Sequence, residues 1–351
     1  MPSDTAIDVS VRVVTVYATD SDYYGGGHFP ETGDYPWLDI LRAHYDLYRD
    51  QLPQPLPTEA LPASAVSFRS PVTDLSVRGA DALMFALPSS QVVFVLALEI
   101  TVARSVDGRY PESVRSVLEQ CIAGELRVNG RDLAELVPNL LVDVTGVQPA
   151  GHHDGFSLLP ERHQLIFIRP AGPDEQPPGA DVVDELVFRQ TPPYRDVRVR
   201  GRFPDELNEE PFTRCAVTRY ASLVYGQPEY VENSILLSTV QAIGMAARCR
   251  QIRQDAYREL REFRQAKQRA YLGTQTRDDL ERLTEALGKL EFDFAFTQGF
   301  PVTRLAGFDS ALAEALDLVS QADTMRAVFA QIGGSVRRRS RLSTSGNGDG
   351  R

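Results

Sequence analysis

Cysteine is scarce in this chain: Cys121, Cys215 and Cys249 are the only three among 351 residues. Their odd number, wide spacing and lack of CxxC pairing argue against a disulfide framework and fit reduced thiols in a cytoplasm. Long apolar runs are missing too. The longest, "VVFVLALEITVA" (92–103), is interrupted by Glu99 and too short to span a bilayer; its Val, Ile and Leu content reads as a buried strand. The opening "MPSDTAIDVS" has neither the basic nor the apolar region of a signal peptide. The expectation is a cytoplasmic protein with no transmembrane segment. Positive charge is short as well. Lys and Arg number 37 against 48 Asp and Glu, a net charge of −11, and no strong nucleic-acid signal follows, because phosphate affinity comes from cationic contacts. Lysine is absent from the whole N-terminal half.

What is present divides at about residue 230. Before it, strand and helix signals mix. Strand candidates are 8–18, 82–87, 92–103, 125–129, "LLVDV" (140–144), 164–169, "ELVFRQ" (185–190), 195–203 and "CAVTRYASLVYG" (215–226). Pro88-Ser89-Ser90 predicts a hairpin between the second and third. Helix candidates are 37–50, 111–123 and 131–137, fewer than a doubly wound sheet requires. The proline-rich stretches 51–64 and 169–182 exclude central strand and helix interior and read as surface loops.

Beyond 230 the apolar period becomes helical and proline is absent from 229 to 300. Leu236, Val240, Ile243 and Ala247 follow a 4-3-4 spacing; after a phase shift Ala256, Leu260, Phe263, Lys267 and Ala270 do so again. "GTQTRDD" (273–279) supplies a glycine stop with Thr276 as N-cap. Leu280, Leu283, Leu287, Leu290 and Phe294 mark a second helix, and a third segment runs from Phe308 through Leu312, Ala315, Val319, Ala322 and Phe329 to Ile332. The fold class is therefore α+β: a mixed sheet with covering helices, then a long antiparallel, coiled-coil-like helical module. The expected division is a mixed α/β domain at 1–230, a long-helix module at 231–340 and a disordered tail at 341–351.

Chemical candidates are few. Strand, glycine-rich loop and helix surround Gly25-Gly26-Gly27 in the order of a phosphate cradle. The glycines lie about ten residues before the expected helix start at Pro36, among Asp20, Asp22, Glu31 and Asp34, with no GxxxxGK[ST] or GxGxxG. That excludes the nucleotide reading and leaves Tyr23, Tyr24 and His28 as a docking loop. The loop "GHHDG" offers His152, His153 and Asp154, which with His28 or His163 would ligate a divalent metal if the fold brought them together; the bland alternative is a polar turn. No GxSxG or nucleophile context occurs. The basic run "YRELREFRQAKQR" (257–269) reads as a solvated coiled-coil flank, with a nucleic-acid or acidic-partner surface as the alternative.

The stretches "LPERHQLIFIR" (159–169), "YGQPEYVENSILLSTVQAIGMAARCRQIRQDAYRELREFR" (225–264) and "LERLTEALGKLEFDFAF" (280–296) are similar in style to actinobacterial CorA-like membrane proteins. A mixed α/β domain followed by very long helices resembles the cytoplasmic part of CorA-type magnesium transporters. The resemblance implies a regulatory domain responding to divalent cations, but no transmembrane pair follows, and Gly244-Met245 is followed by Ala rather than completing a Gly-Met-Asn signature. A pore is not implied here.

The leading expectation is a non-enzymatic protein that self-associates or docks a partner through the stripes holding Leu236, Val240, Ile243, Leu260 and Phe263. A CorA-like cation sensor and a metal-dependent hydrolase using His152, His153 and Asp154 are the alternatives.

Overall fold

The computed structural model describes residues 7–23, 52–105, 108–145, 158–172, 175–188, 201–270, 276–296 and 305–330. Ten strands are described: β1 (Ile7–Asp22), β2 (Gln54–Leu61), β3 (Val66–Phe68), β4 (Leu75–Ala86), β5 (Gln91–Arg104), β6 (Leu126–Val128), β7 (Arg131–Asp132), β8 (Leu158–Ile168), β9 (Arg214–Val217) and β10 (Ala221–Tyr225). Seven form one sheet in the order β2-β4-β5-β1-β8-β10-β9, and β3-β6-β7 form a second. Only β8 and β10 pair parallel in the large sheet, so it is mixed, and with the helices that cover it the fold is α+β.

The central strands bury both faces, which is why β5 reads as a continuous apolar run rather than an alternating one. Val9, Val11 and Val13 of β1 share one core with the even positions of β5, from Val92 to Val102. Helix α1 (Glu112–Ala123) places Val114, Val117, Leu118 and Cys121 on that core at helical spacing. It stops at Gly124, whose φ of 74° suits the residue without a Cβ. On the opposite face Val14, Val16, Val93, Val95 and Phe167 are buried as well.

Several sequence expectations need correction. "LLVDV" is not a strand but the end of α2 (Leu133–Thr145), which passes through Pro138. The proline falls near the helix start and removes a single ladder bond. The described part of "ELVFRQ", 185–188, is likewise helical: α3 (Ala180–Val183) and a wider turn at Asp184–Phe188 bury Val183, Leu186 and Val187, an i, i+3, i+4 set. The stretch 215–226 is two strands rather than one. Thr218 makes the turn between them, its hydroxyl donating to the Ala221 carbonyl at 2.7 Å. The loop expected at 51–64 holds β2, at the sheet edge where Pro55 and Pro57 cost least. The helix expected at 37–50, most of the strand at 195–203 and the tail at 341–351 lie outside the described residues; within 201–203, Arg202 bridges Val217.

Helix α4 spans Glu229–Ala270 and α5 spans Thr276–Phe296, beginning at the anticipated cap residue. The third segment is two helices, α6 (Ala306–Ala315) and α7 (318–330), broken at Asp317 with φ 58°. A short polar side chain tolerates that left-handed conformation. The break changes phase, so Leu318 is buried and Val319 exposed.

By contacts the chain forms two units, Met1–Gly244 with Gly299–Leu316, and Met245–Gln298 with Asp317–Arg351. In the second, Cys249 and Ile252 of α4 pack with Phe294 of α5 and Met325 and Phe329 of α7. Ala256 packs with Leu283. Rising numbers on α4 meet falling numbers on α5, so these helices run antiparallel.

Candidate functional site

His28, His152, His153, Asp154 and Tyr24 lie outside the described residues. Tyr23 follows β1 directly, half-buried, with its amide donating to the Ser90 carbonyl at 2.8 Å. Among the described residues no three His, Cys, Asp or Glu side chains are grouped to hold a metal. His163 sits in the core of β8. Its Nδ1 lies 3.3 Å from the Arg219 carbonyl and its Nε2 2.8 Å from the Ser222 hydroxyl. A carbonyl only accepts, so Nδ1 carries the proton and Nε2 accepts from Ser222. The spacing is that of a base and its nucleophile, and both side chains are fully buried.

The proposed seam needs correction. Leu236, Val240 and Ile243 are completely buried in the single chain. They lie on a helix pressed against its own sheet: a Cβ on Gly244 would stand 1.8 Å from Leu87 Cδ1 and 3.2 Å from Val93 Cγ2. A regular apolar period cannot distinguish a sheet-facing stripe from a partner-facing one. Leu260 is half-buried against Ala256 and Leu283, and the side chain of Phe263 lies outside the described residues.

The charge clusters that do form were not singled out from sequence, because their members are far apart in the chain. At the start of α4, Glu232 is buried and shared by two guanidinium groups, Arg12 at 3.7 Å and Arg169 at 3.2 Å. Arg12 on β1 also faces Glu99, its direct cross-strand neighbour on β5, at 3.4 Å. Burial raises the Glu99 carboxyl above its ordinary value, opposed by Arg12 and Arg169 and reinforced by Glu232 and Asp81. Burial raises Asp81 in the same way, against Arg12. Burial works against the charge on Arg169, but its hydrogen bond to Glu232 outweighs this and raises its pKa.

A second cluster lies on the other face. Arg104, at the end of β5, pairs with Glu175, and Tyr110 and Tyr225 complete it. Burial pushes the Tyr225 phenol up to about 12, with Glu175 adding to the effect. Burial also raises Tyr110, while Arg104 lowers it. These phenols stay protonated at neutral pH, and Tyr225 donates to the Glu175 carbonyl at 3.4 Å. Cys215 is fully buried and its thiol is pushed far up by desolvation, which keeps it from acting as a nucleophile.

Among the described residues of the second unit, each helix leaves one large apolar side chain exposed: Tyr257 on α4 at 56%, Phe292 on α5 at 64% and Val319 on α7 at 65%. No helix of the described residues is long and apolar enough to cross a membrane. No family model matches the chain, and neither the curated proteins nor the solved structures show a match to it.

Proposed function

We propose that this is a non-enzymatic cytoplasmic protein whose helical unit, built from α4 beyond Gly244, α5 and α7, mediates self-association or docking of a protein partner. The observation that carries the reading is the exposure of Tyr257, Phe292 and Val319, one on each of the three helices. Aromatic side chains outside a buried stripe are the usual anchors of protein–protein contacts. The ion-pair clusters of the sheet unit are matched within the chain, which leaves them a structural task. Size-exclusion chromatography with light scattering on the full chain tests the reading. A species larger than the 38.9 kDa protomer is expected at micromolar concentration. A strict monomer throughout removes self-association and leaves only an external partner.

A second reading is a relative of the cytoplasmic part of CorA-type transporters, responding to divalent cations. It is supported by the order of elements: a mixed seven-stranded sheet, then a 42-residue helix. Calorimetry and thermal shift with millimolar magnesium test it; no heat and no shift would remove it.

A further inference from the structure

The charges under the start of α4 are unequal in number. On the sheet side two carboxylates, Asp81 of β4 and Glu99 of β5, share a site with two guanidinium groups, Arg12 of β1 and Arg169 just after β8. The helix adds the buried Glu232 and brings no cation with it, since neither Lys nor Arg occurs between 229 and 247. Three carboxylates therefore meet two guanidinium groups. Arg12 is divided between two of them, with Nε 3.4 Å from Glu99 and Nη1 3.7 Å from Glu232, while Arg169 lies 3.2 Å from Glu232. The remaining charged groups nearby do not restore the balance. Glu229, one turn earlier on α4, acts on Arg169, and Arg78 of β4 is turned to the Thr101 hydroxyl, to which its Nε donates at 3.1 Å.

If the start of α4 lifts, Arg12, Asp81, Glu99 and Arg169 stay with the sheet. Arg169 is tied to β1 through its amide, which donates to the Ser10 carbonyl at 3.3 Å. Only Glu232 leaves the cluster. Glu99 responds to that departure: its carboxyl is raised chiefly by burial, Arg12 and Arg169 oppose the shift, and Glu232 and Asp81 add to it. Removing Glu232 takes away one of the causes that raise it, so Glu99 binds a proton more tightly when the helix is docked. By linkage, a proton on Glu99 favours the docked helix to the same extent.

We propose that docking of the α4 start onto the sheet is coupled to uptake of one proton by Glu99, which makes this helix start a pH-sensitive anchor. Below the value that Glu99 has with the helix lifted, the protonated carboxyl leaves Arg12 to Glu232 and the anchor is tightest. As pH rises through the higher value of the docked state, Glu99 ionises, competes for Arg12 and repels Glu232 across the helix–sheet contact, and the anchor weakens. Every group involved lies within the sheet unit, so the device is independent of self-association through the helical unit.

Hydrogen–deuterium exchange of the full chain tests the coupling, with rates corrected for the intrinsic pH dependence of amide exchange. In wild type the protection of 229–240 is expected to fall about fivefold or more between about pH 5 and about pH 8, relative to β5 in the same sample. Glu99→Gln, nearly isosteric and uncharged, is expected to abolish the fall. Wild-type protection that stays constant with pH overturns the proposal. A fall that β5 shares in full overturns it too, because Glu99 would then act on global unfolding rather than on the helix start. A fall that persists unchanged in Glu99→Gln overturns it by placing the proton elsewhere. Circular dichroism verifies the fold of the variant. Should Glu99→Gln fail to fold, the wild-type profile decides: a fall confined to 229–240 supports the coupling, and constant protection removes it.

Discussion

Glu206 holds the start of α6 from a position 102 residues upstream: its carboxylate accepts the Phe308 amide hydrogen at 2.7 Å. Leu305, the residue preceding the helix, supplies no side-chain cap of its own, so a remote carboxylate meets both the orphan amide and the positive end of the helix dipole. Asp309 joins the contact through Ser238; burial raises its carboxyl, the Ser238 hydrogen bond opposes this, and Glu206 adds to it.

Gly307 sits against that carboxylate, where a Cβ would lie 1.8 Å from Glu206 Oε2. Gly307→Ala is expected to displace Glu206 and lose the cap, lowering stability by about 1–2 kcal/mol in urea denaturation. Glu206→Ala should cost a similar amount. The double variant should cost little more than either single one; full additivity would show that the two residues act separately.

Glu232 is the buried centre of an ion-pair group with Arg12 and Arg169. Glu232→Ala leaves the mostly buried Arg12 without this partner and is expected to cost about 3 kcal/mol. Pairing Glu232→Leu with Arg12→Met should recover part of the loss, since apolar replacement removes the need for compensation. A single-variant loss below about 1 kcal/mol would mean that the group contributes little.

The pH dependence follows from Asp81 and Glu99, both raised chiefly by burial. A carboxyl with a raised folded pKa binds its proton more tightly in the folded state. Its contribution is fully present below the unfolded value and is lost as pH rises through the folded one. These two residues therefore favour folding at mildly acidic pH and oppose it at neutral pH. Asp81→Asn should raise the melting temperature near pH 7 and reduce the difference between pH 5 and 7. An unchanged pH profile would contradict the assignment.

Asn208 closes the open edge of β9. Its carboxamide accepts from the Cys215 amide at 3.0 Å and donates to the Cys215 carbonyl at 3.1 Å, while Arg202 pairs with Val217 next along. Asn208→Ala should cost about 1–3 kcal/mol and expose a strand edge to other chains. Denaturation and light scattering on heating measure both effects; unchanged values would show that the edge is protected by other means.

Signals within a few residues of each other were legible from the start. The β4–β5 hairpin, α1 with its glycine stop and α5 opening at Thr276 all rest on local backbone chemistry. Helical spacing at Val183, Leu186 and Val187 is masked in the sequence because β-branched residues also favour strands. The clusters around Glu232 and Glu175 were invisible for a different reason. Arg12, Glu99, Arg169 and Glu232 share no spacing and meet only when β1 pairs with β5 and β8 and α4 begins beside them.

By itself the sequence determined that α4 is a long helix and which of its residues form an apolar stripe, because intrinsic propensity and a period near 3.6 are properties of neighbouring residues. Only the tertiary structure decided what the stripe meets. Leu236, Val240 and Ile243 are buried in the chain's own sheet unit, while Tyr257, beyond the unit boundary, is exposed. Burial depends on which surfaces pack together in three dimensions, and an amphipathic period records only that a surface must be covered.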